Sequence, residues 1–141
     1  MPKAKQISAW IENRPGMLGR VADALGERGV SIRAFTAAVL DARGFVRVVV
    51  DKPAAAKRIF AAHGWDTTTD DVVEVTVPDE PGALGEVADR LGAAGVNIQY
   101  AYVGTAKSAR EVNLYLAVDD PKAALSALRG RSGRAAVRQA R

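Results

Sequence analysis

Hydrophobic residues in the first half of the chain alternate between a helical and a strand-like spacing. Apolar residues between positions 18 and 25 recur at i, i+3, i+4 and i+7, which is one face of an amphipathic helix. A second helix is predicted to begin at Pro53, with Asp51 as its cap. The helical face comprises Leu18, Val21, Ala22 and Leu25, and strands are predicted over residues 7–12, 31–40, 45–50 and 65–69, with a hairpin turn at 41–44.

The second half of the chain repeats the first. Residues 15–32 align with residues 81–98, and 12 of these 18 positions are identical. Another repeated segment, around Pro53 and Pro121, is offset by 68 residues instead of 66, most simply because of two extra residues in a hairpin loop. The second copy is predicted to have strands over residues 72–77, 98–105, 111–118 and 135–139, and helices around Leu84–Leu91 and Pro121–Leu128.

Each copy therefore has the order strand–helix–strand–strand–helix–strand, which is the ferredoxin-like βαββαβ arrangement. The sequence predicts an α+β protein of two such units, each with an antiparallel sheet and two helices on one face of it. Residues 1–69 form the first predicted domain and residues 70–141 the second. Because one unit alone leaves a sheet face and an edge strand exposed, we expect the two units to pack closely.

Composition restricts both location and chemistry. The chain has no cysteine, which excludes a disulfide framework, a thiolate metal site and a cysteine nucleophile. No apolar run approaches the roughly 20 residues that span a bilayer, and the first residues lack the apolar stretch of a signal peptide. We therefore expect a soluble cytoplasmic protein with no membrane partner.

The net charge of +4 is concentrated at the C-terminus. Residues 129–141 contain five arginines and no acidic residue, whereas the rest of the chain has 15 basic and 16 acidic residues. A short basic tail on a nearly neutral body favours a solvated terminus or an exposed last strand over a nucleic-acid-binding face. A structural or nucleic-acid-associated role that uses this tail is the alternative function.

Candidate chemistry lies in the turn before the first helix of each copy, at residues 13–18 and 79–84. Glycine allows the backbone to approach a ligand closely, and the free N–H groups of a helix N-terminus favour a carboxylate or phosphate. Asn13 or Asp79, just upstream, can hold an ammonium or amide group, so each turn suits the backbone end of an amino acid. The same spacing also fits a simple capped turn, in which Asn13 or Asp79 accepts hydrogen bonds from the helix.

Two further groups of polar residues favour structural roles. His63, the only histidine, has no cysteine or clustered acidic partner in the sequence, so neither a metal site nor a catalytic triad is expected there. The acidic pairs at 70–71 and 119–120 each precede a predicted strand or helix. Capping and solvation explain these acids better than acid–base catalysis does.

Two interpretations stay open for three other residues. Tyr100 and Tyr102 occupy alternate positions of one strand, so they share a sheet face, either as packing residues or as an aromatic wall of an effector pocket. Arg47 lies in an apolar strand and needs a partner if it is buried. That partner is either an acidic residue of the protein or the carboxylate of an effector.

The turn and its surroundings resemble the signature of ACT domains, which are small regulatory modules that bind amino acids or other small effectors. That signature is Asn-x-Pro-Gly-x-Leu after a strand, then a helix, then Gly-Val-Asn-Ile opening the next strand. Residues 11–18 look much like the serine-binding regulatory domain of phosphoglycerate dehydrogenase. Residues 44–50 and 97–102 are more similar still to free-standing tandem ACT proteins of bacteria, and the resemblance covers about residues 5–128.

The resemblance implies that each turn, together with the residue that opens each second strand, binds the ligand. The implied residues are Asn13, Gly16, Met17, Leu18 and Ser31 in the first copy, and Asp79, Gly82, Ala83, Leu84 and Asn97 in the second. Ile11 and Val77 stand where the serine-binding domain has a histidine, and Asp79 and Ser31 replace asparagines. Serine is therefore disfavoured as the effector, whereas an amino-acid-like ligand still fits.

In side-by-side ACT pairs, the effector lies between the turn of one unit and the second strand of the other. The resemblance thus implies one site with Asn13 and Asn97, another with Asp79 and Ser31, and a continuous eight-stranded sheet within the chain. We predict that the first site binds more tightly, because two amides can serve both charged groups of an amino acid. In the second site the carboxylate of Asp79 is expected to repel the carboxylate of the ligand, unless it binds the ammonium group instead.

The sequence offers no output domain and no convincing pair of nucleophile and base. We therefore predict a non-enzymatic regulatory protein that binds a small-molecule amino-acid effector. Its expected partners are a regulated enzyme encoded elsewhere and a second copy of the chain in a homodimer. No cofactor and no metal are expected.

Overall fold

The structure is a computed structural model, and it describes residues 3–129. Ten elements follow the predicted order closely. The strand predicted over residues 135–139 and the arginines from Arg131 onwards lie outside the described residues. The elements are β1 (Lys3–Ile11), α1 (Met17–Gly26), β2 (Ile32–Leu40), β3 (Arg43–Val50), α2 (Pro53–Ala62), β4 (Thr67–Pro78), α3 (Ala83–Ala93), β5 (Ile98–Thr105), β6 (Glu111–Val118) and α4 (Pro121–Arg129).

Contacts divide the described chain into two compact units. The first unit is Lys5–Asp70, and the second comprises the residues from Asp71 onwards together with Lys3 and Ala4. In the first unit β3 is the central strand, and both β1 and β2 pair with it in antiparallel orientation. In the second unit β6 is the central strand, with β4 and β5 as its antiparallel neighbours. The first three strands of each unit thus lie in the antiparallel order first–third–second, as in a βαββαβ unit.

A separate hydrophobic core lies between the sheet and the two helices of each unit. Alternate residues of the strands point into it, as the period of two requires. In the first unit the core includes Ile7, Val46 and Val48 from strands and Leu25 and Phe60 from helices. In the second unit it includes Val73, Val75 and Leu116 from strands and Leu91 and Leu128 from helices.

The buried face of the first helix in each unit differs from the predicted face. Leu18 is 43% exposed and its counterpart Leu84 is 53% exposed, whereas Met17 and Ala83 are buried. The reason is that the helix begins at residue 17 or 83, so its first residue already points into the core. The face that α1 buries is Met17, Val21, Ala24 and Leu25.

The strands predicted over residues 65–69 and 72–77 are one continuous strand, β4. No glycine or proline interrupts residues 67–77, and a run of three threonines continues into the valines, so nothing in the sequence turns the chain there. The division between the units falls within β4, after Asp70.

The extra residues of the second copy do lie in a hairpin loop. Asp41 and Ala42 alone join β2 to β3, and both have positive φ, at 51° and 67°. Residues 106–110 join β5 to β6 in a longer loop. The turn of the first unit is therefore tight and conformationally strained, and that of the second is relaxed.

Candidate ligand-binding site

The turns before α1 and α3 have the same backbone geometry. Gly16 has φ 90° and ψ −9°, and Gly82 has φ 87° and ψ −10°. Only glycine adopts this left-handed conformation without strain, which explains its presence at both positions. The glycine turns the chain sharply from the end of a strand into the helix, so that the helix N-terminus opens toward the end of the sheet.

Neither turn is capped by a side chain. The N-cap residues Gly16 and Gly82 provide no side-chain cap, and in the described part of the chain the side chains of Asn13 and Asp79 have no hydrogen-bond partner at the helix N-termini. The interpretation of these residues as simple caps is therefore wrong. Met17 N–H donates to the Arg14 carbonyl at 3.4 Å and Ala83 N–H to the Glu80 carbonyl at 3.3 Å.

The next N–H groups of each helix have no such acceptor. Leu18 and Gly19 in α1, like Leu84 and Gly85 in α3, lie within the first turn, where the intrahelical ladder has not begun. These N–H groups carry the positive end of the helix dipole and suit an anionic group of a ligand.

The residues that open the second strands are held by a carboxylate. Ser31 N–H donates to Asp51 Oδ1 at 2.9 Å, and Asn97 N–H donates to Asp119 Oδ1 at 3.0 Å. The same acidic residues donate their backbone N–H groups back to the carbonyls of Ser31 and Asn97. Both polar side chains are thus fixed at their backbone while the side chains themselves stay exposed.

This arrangement changes the predicted role of Asp51. Asp51 does not cap α2, whose N-cap residue is Lys52 and whose N-terminus receives no hydrogen bond from the side chain of that residue. Its carboxylate is used by Ser31 instead, because β3 ends beside the start of β2. Asp120 does cap its helix, accepting from Ala123 N–H at 3.0 Å.

Within one unit, the turn and the opening of the second strand lie far apart. β1 and β2 both run antiparallel to β3, so they are parallel to each other. The end of β1, which leads to Asn13, therefore lies at the opposite end of the sheet from Ser31. The same holds for Asp79 and Asn97 in the second unit. A site that combines a turn with a strand opening needs two units.

A cleft of about 430 Å³ lies at the Asn13 end of the first unit. The end of β1, the β2–β3 turn and the segment after α2 all meet there. Most residues that line this cleft are not among the site residues predicted from the sequence, although both tryptophans and the one histidine of the chain lie in it. The lining includes Trp10, Asn13, Arg43, His63, Trp65 and Asp66.

The face of each sheet away from its helices carries aromatic residues. In the first unit the Arg47 guanidinium lies 4.4 Å from the centroid of Phe45. In the second unit Tyr102 stacks on Tyr115 with centroids 5.6 Å apart, and the Tyr115 hydroxyl donates to Glu74 Oε2 at 2.7 Å. Packing of Tyr102 against another ring is thus observed.

In residues 3–129, no three histidine, cysteine or acidic side chains come together as metal ligands. No helix in that range is long and apolar enough to cross a bilayer.

The fold and the two glycine turns define a class of protein, the ACT-domain regulatory modules. Residues 3–124 match the family model of the ACT domain pair, so the chain belongs to that family. ACT domains are regulatory, not catalytic. No curated protein matches the sequence.

Two crystal structures illustrate the structural likeness. Protein BT0572 from Bacteroides thetaiotaomicron is 26% identical, with a TM-score of 0.83 over 94% of this chain and 90% of that one. The ligand-free regulatory subunit of aspartate kinase from Thermus thermophilus is 22% identical, with a TM-score of 0.63 over 90% of this chain and 91% of that one. The latter likeness concerns the fold.

Proposed function

We propose that the chain is a non-enzymatic regulatory protein that binds an amino acid and, when bound, alters the activity of a partner enzyme. Membership of the ACT domain pair family supports a regulatory role. The Thermus thermophilus neighbour is a regulatory subunit of an enzyme, which supports an enzyme as the partner.

The observation that carries the proposal is the uncommitted polar groups of the first turn. The Asn13 amide has no hydrogen-bond partner in the described residues, and the N–H groups of Leu18 and Gly19 lie at an open helix N-terminus. An amide that donates and accepts, next to donors that favour an anion, complements the ammonium and carboxylate of an amino acid.

The strength of such a site suits metabolite sensing. Hydrogen bonds to charged groups contribute roughly 1.5–3 kcal/mol each. Two or three of them, after the loss of translational and rotational freedom, correspond to dissociation constants in about the micromolar to millimolar range. Intracellular amino acids are expected to occupy a site of that affinity reversibly.

The finer parts of the proposal come from the sequence. We propose two ACT-like domains, residues 1–69 and 70–141, that pair side by side through their second strands. One effector site then combines Asn13 with Asn97, and the other combines Asp79 with Ser31. A cytoplasmic homodimer is the proposed assembly.

Titration calorimetry with the twenty amino acids tests the proposal. We expect at least one to bind, and Asn13→Ala and Asn97→Ala to weaken the tighter event by about tenfold each, the effect of one hydrogen bond to a charged group. Asp79→Ala should change only the weaker of the two binding events. The site that contains Asp79 is expected to be the weaker one, because its carboxylate repels the ligand carboxylate.

Gln99→Ala serves as the control, since Gln99 is an exposed polar residue of β5, two positions after Asn97. This variant should bind as the natural chain does. If Asp79→Ala removed the tighter event while Asn13→Ala left it unchanged, the assignment of the sites would be wrong. If no amino acid bound, the proposed function would be wrong.

A further inference from the structure

The cleft of the first unit contains opposite charges that are not used within the protein. Arg43 and Asp66 both line it, and neither forms an ion pair among the described residues. The Asp66 carbonyl accepts from Trp10 N–H at 3.0 Å, which anchors this acidic residue beside the end of β1. A third charged residue, Glu12, already pairs with Arg14 at 3.5 Å.

One wall of the cleft is a guanidinium held on an indole ring. The Arg43 guanidinium lies 4.4 Å from the centroid of Trp10, a cation–π contact that fixes where its positive charge is presented. Arg43 follows the tight Asp41–Ala42 turn directly, so the hairpin determines its position. The remaining N–H donors of the guanidinium are suited to a carboxylate.

The other wall is a second stacked pair. The His63 ring lies on Trp65 with centroids 4.6 Å apart and an interplanar angle of 14°. His63 Nδ1 lies 3.0 Å from the Ile59 carbonyl, which can only accept, so Nδ1 carries the hydrogen and the ring is held in place. Trp65 also meets Phe60 edge to face at 5.8 Å, which anchors this wall to the core.

Size and charge together restrict the ligand. The volume of about 430 Å³ lies within the roughly 300–1,000 Å³ typical of small-molecule pockets. One cation with a nearby unpaired carboxylate suits a zwitterion, and the acidic residues disfavour a phosphate, whose charge they repel. Flat aromatic walls favour a flat side chain, because aromatic rings stack or meet edge to face.

We propose that this cleft selects an amino acid with an aromatic side chain. Arg43, held over Trp10, binds its carboxylate, Asp66 binds its ammonium group together with the amide of Asn13, and its ring packs against the stacked His63–Trp65 pair. This inference rests on the proposed function, because it names the class of effector that Asn13 binds. In this cleft Arg43 replaces the N–H groups of Leu18 and Gly19 as the partner of the carboxylate, since neither of those residues lines it.

The test is calorimetry on the full chain with L-phenylalanine, L-tryptophan and L-leucine. We expect both aromatic amino acids to bind at least about tenfold more tightly than leucine, as the loss of a stacked ring implies. Arg43→Gln should weaken phenylalanine about tenfold, the loss expected for one charged hydrogen bond, and should leave phenethylamine, which lacks the carboxylate, unchanged. Asp66→Asn should weaken phenylalanine and leave 3-phenylpropionate, which lacks the ammonium group, unchanged.

Arg28→Gln is the matched control, because Arg28 is an exposed arginine of the same unit that does not line the cleft. Unchanged melting temperatures would show that all three variants fold. If leucine bound as tightly as phenylalanine, with dependence on Asn13 and not on Arg43, this inference would fail while the proposed function stood. If phenylalanine bound with dependence on Arg43 but no enzyme responded to it, the inference would stand and the regulatory role would fail.

Discussion

In the first unit, Trp10 lies opposite Phe45 across β1 and β3, and the two rings meet edge to face with centroids 5.7 Å apart. In the second unit, the corresponding pair is Thr76 and Asn113, joined by a hydrogen bond of 2.6 Å. Equivalent positions of the same fold thus hold an apolar aromatic contact in one copy and a polar contact in the other.

The neighbouring cross-strand pair differs in the same way. Ser8 faces Arg47 in the first unit, whereas Glu74 faces Tyr115 in the second and accepts a hydrogen bond from its hydroxyl. The first unit therefore presents arginines over aromatic rings, and the second presents a connected network of hydroxyl, amide and carboxylate groups.

The features that the two units share are those that determine the path of the backbone. Both have a left-handed glycine before the first helix, and both hold the start of the second strand with a carboxylate from the end of the third. Side chains on the sheet face away from the helices do not affect the packing of the helices, so they can differ. Two copies of one fold therefore need not bind the same ligand.

The largest expected effect tests whether the two cores are equivalent. Leu25→Ala and Leu91→Ala should each lower the free energy of unfolding by about 2–5 kcal/mol, because both leucines are fully buried and truncation leaves a cavity. Urea unfolding of the full chain measures this loss.

The exposed leucines of the same helices are the controls. Leu18→Ala and Leu84→Ala should lower the free energy of unfolding by only about 1 kcal/mol or less, since these residues are 43% and 53% exposed. A loss at Leu18 as large as that at Leu25 would contradict the observed helix face and restore the face that the sequence pattern predicts.

The elements and their order could be predicted from sequence because they depend on local signals. Hydrophobic period, the glycine turns and the 66-residue repeat are all visible in the chain. The exact helix face could not be predicted, since Leu18 and Met17 are both apolar, and the choice between them depends on where the helix begins.

The candidate site was predicted only in its local part. Asn13 and Gly16 belong to one short motif, whereas Arg43 and Trp65 reach the cleft from distant parts of the chain. Their meeting depends on the sheet order, which brings the β2–β3 turn and the end of α2 to the same end of the sheet as the end of β1. The rarity of tryptophan and histidine in the sequence was the available signal.

A smaller effect is expected at the polar network of the second unit. Tyr115→Phe should lower the free energy of unfolding by about 1–2 kcal/mol. Tyr115 is buried, and loss of its hydroxyl leaves the Glu74 carboxylate without the hydrogen bond that this hydroxyl donates. A double-mutant cycle with Glu74→Gln should show coupling between the two residues.

The first unit supplies the control for this network. Ser8 occupies the position equivalent to Glu74, and its hydroxyl has no hydrogen-bond partner in residues 3–129. Ser8→Ala should therefore change the free energy of unfolding by no more than about 0.5 kcal/mol. A loss equal to that of Tyr115→Phe would mean that the two sheet faces do not differ in the way their contacts indicate.

The smallest expected effect concerns the hairpins. Ala42 has φ 67°, a left-handed conformation that costs a non-glycine residue about 1–2 kcal/mol. Glycine removes this cost but loses about 0.5–1 kcal/mol more conformational entropy on folding, so Ala42→Gly should stabilise the chain by about 0.5 kcal/mol. Ala109→Gly in the longer loop should instead destabilise slightly, because the described residues there have no positive φ. Chemical unfolding of both variants measures the difference, and equal effects would show that the turn before Arg43 is not strained.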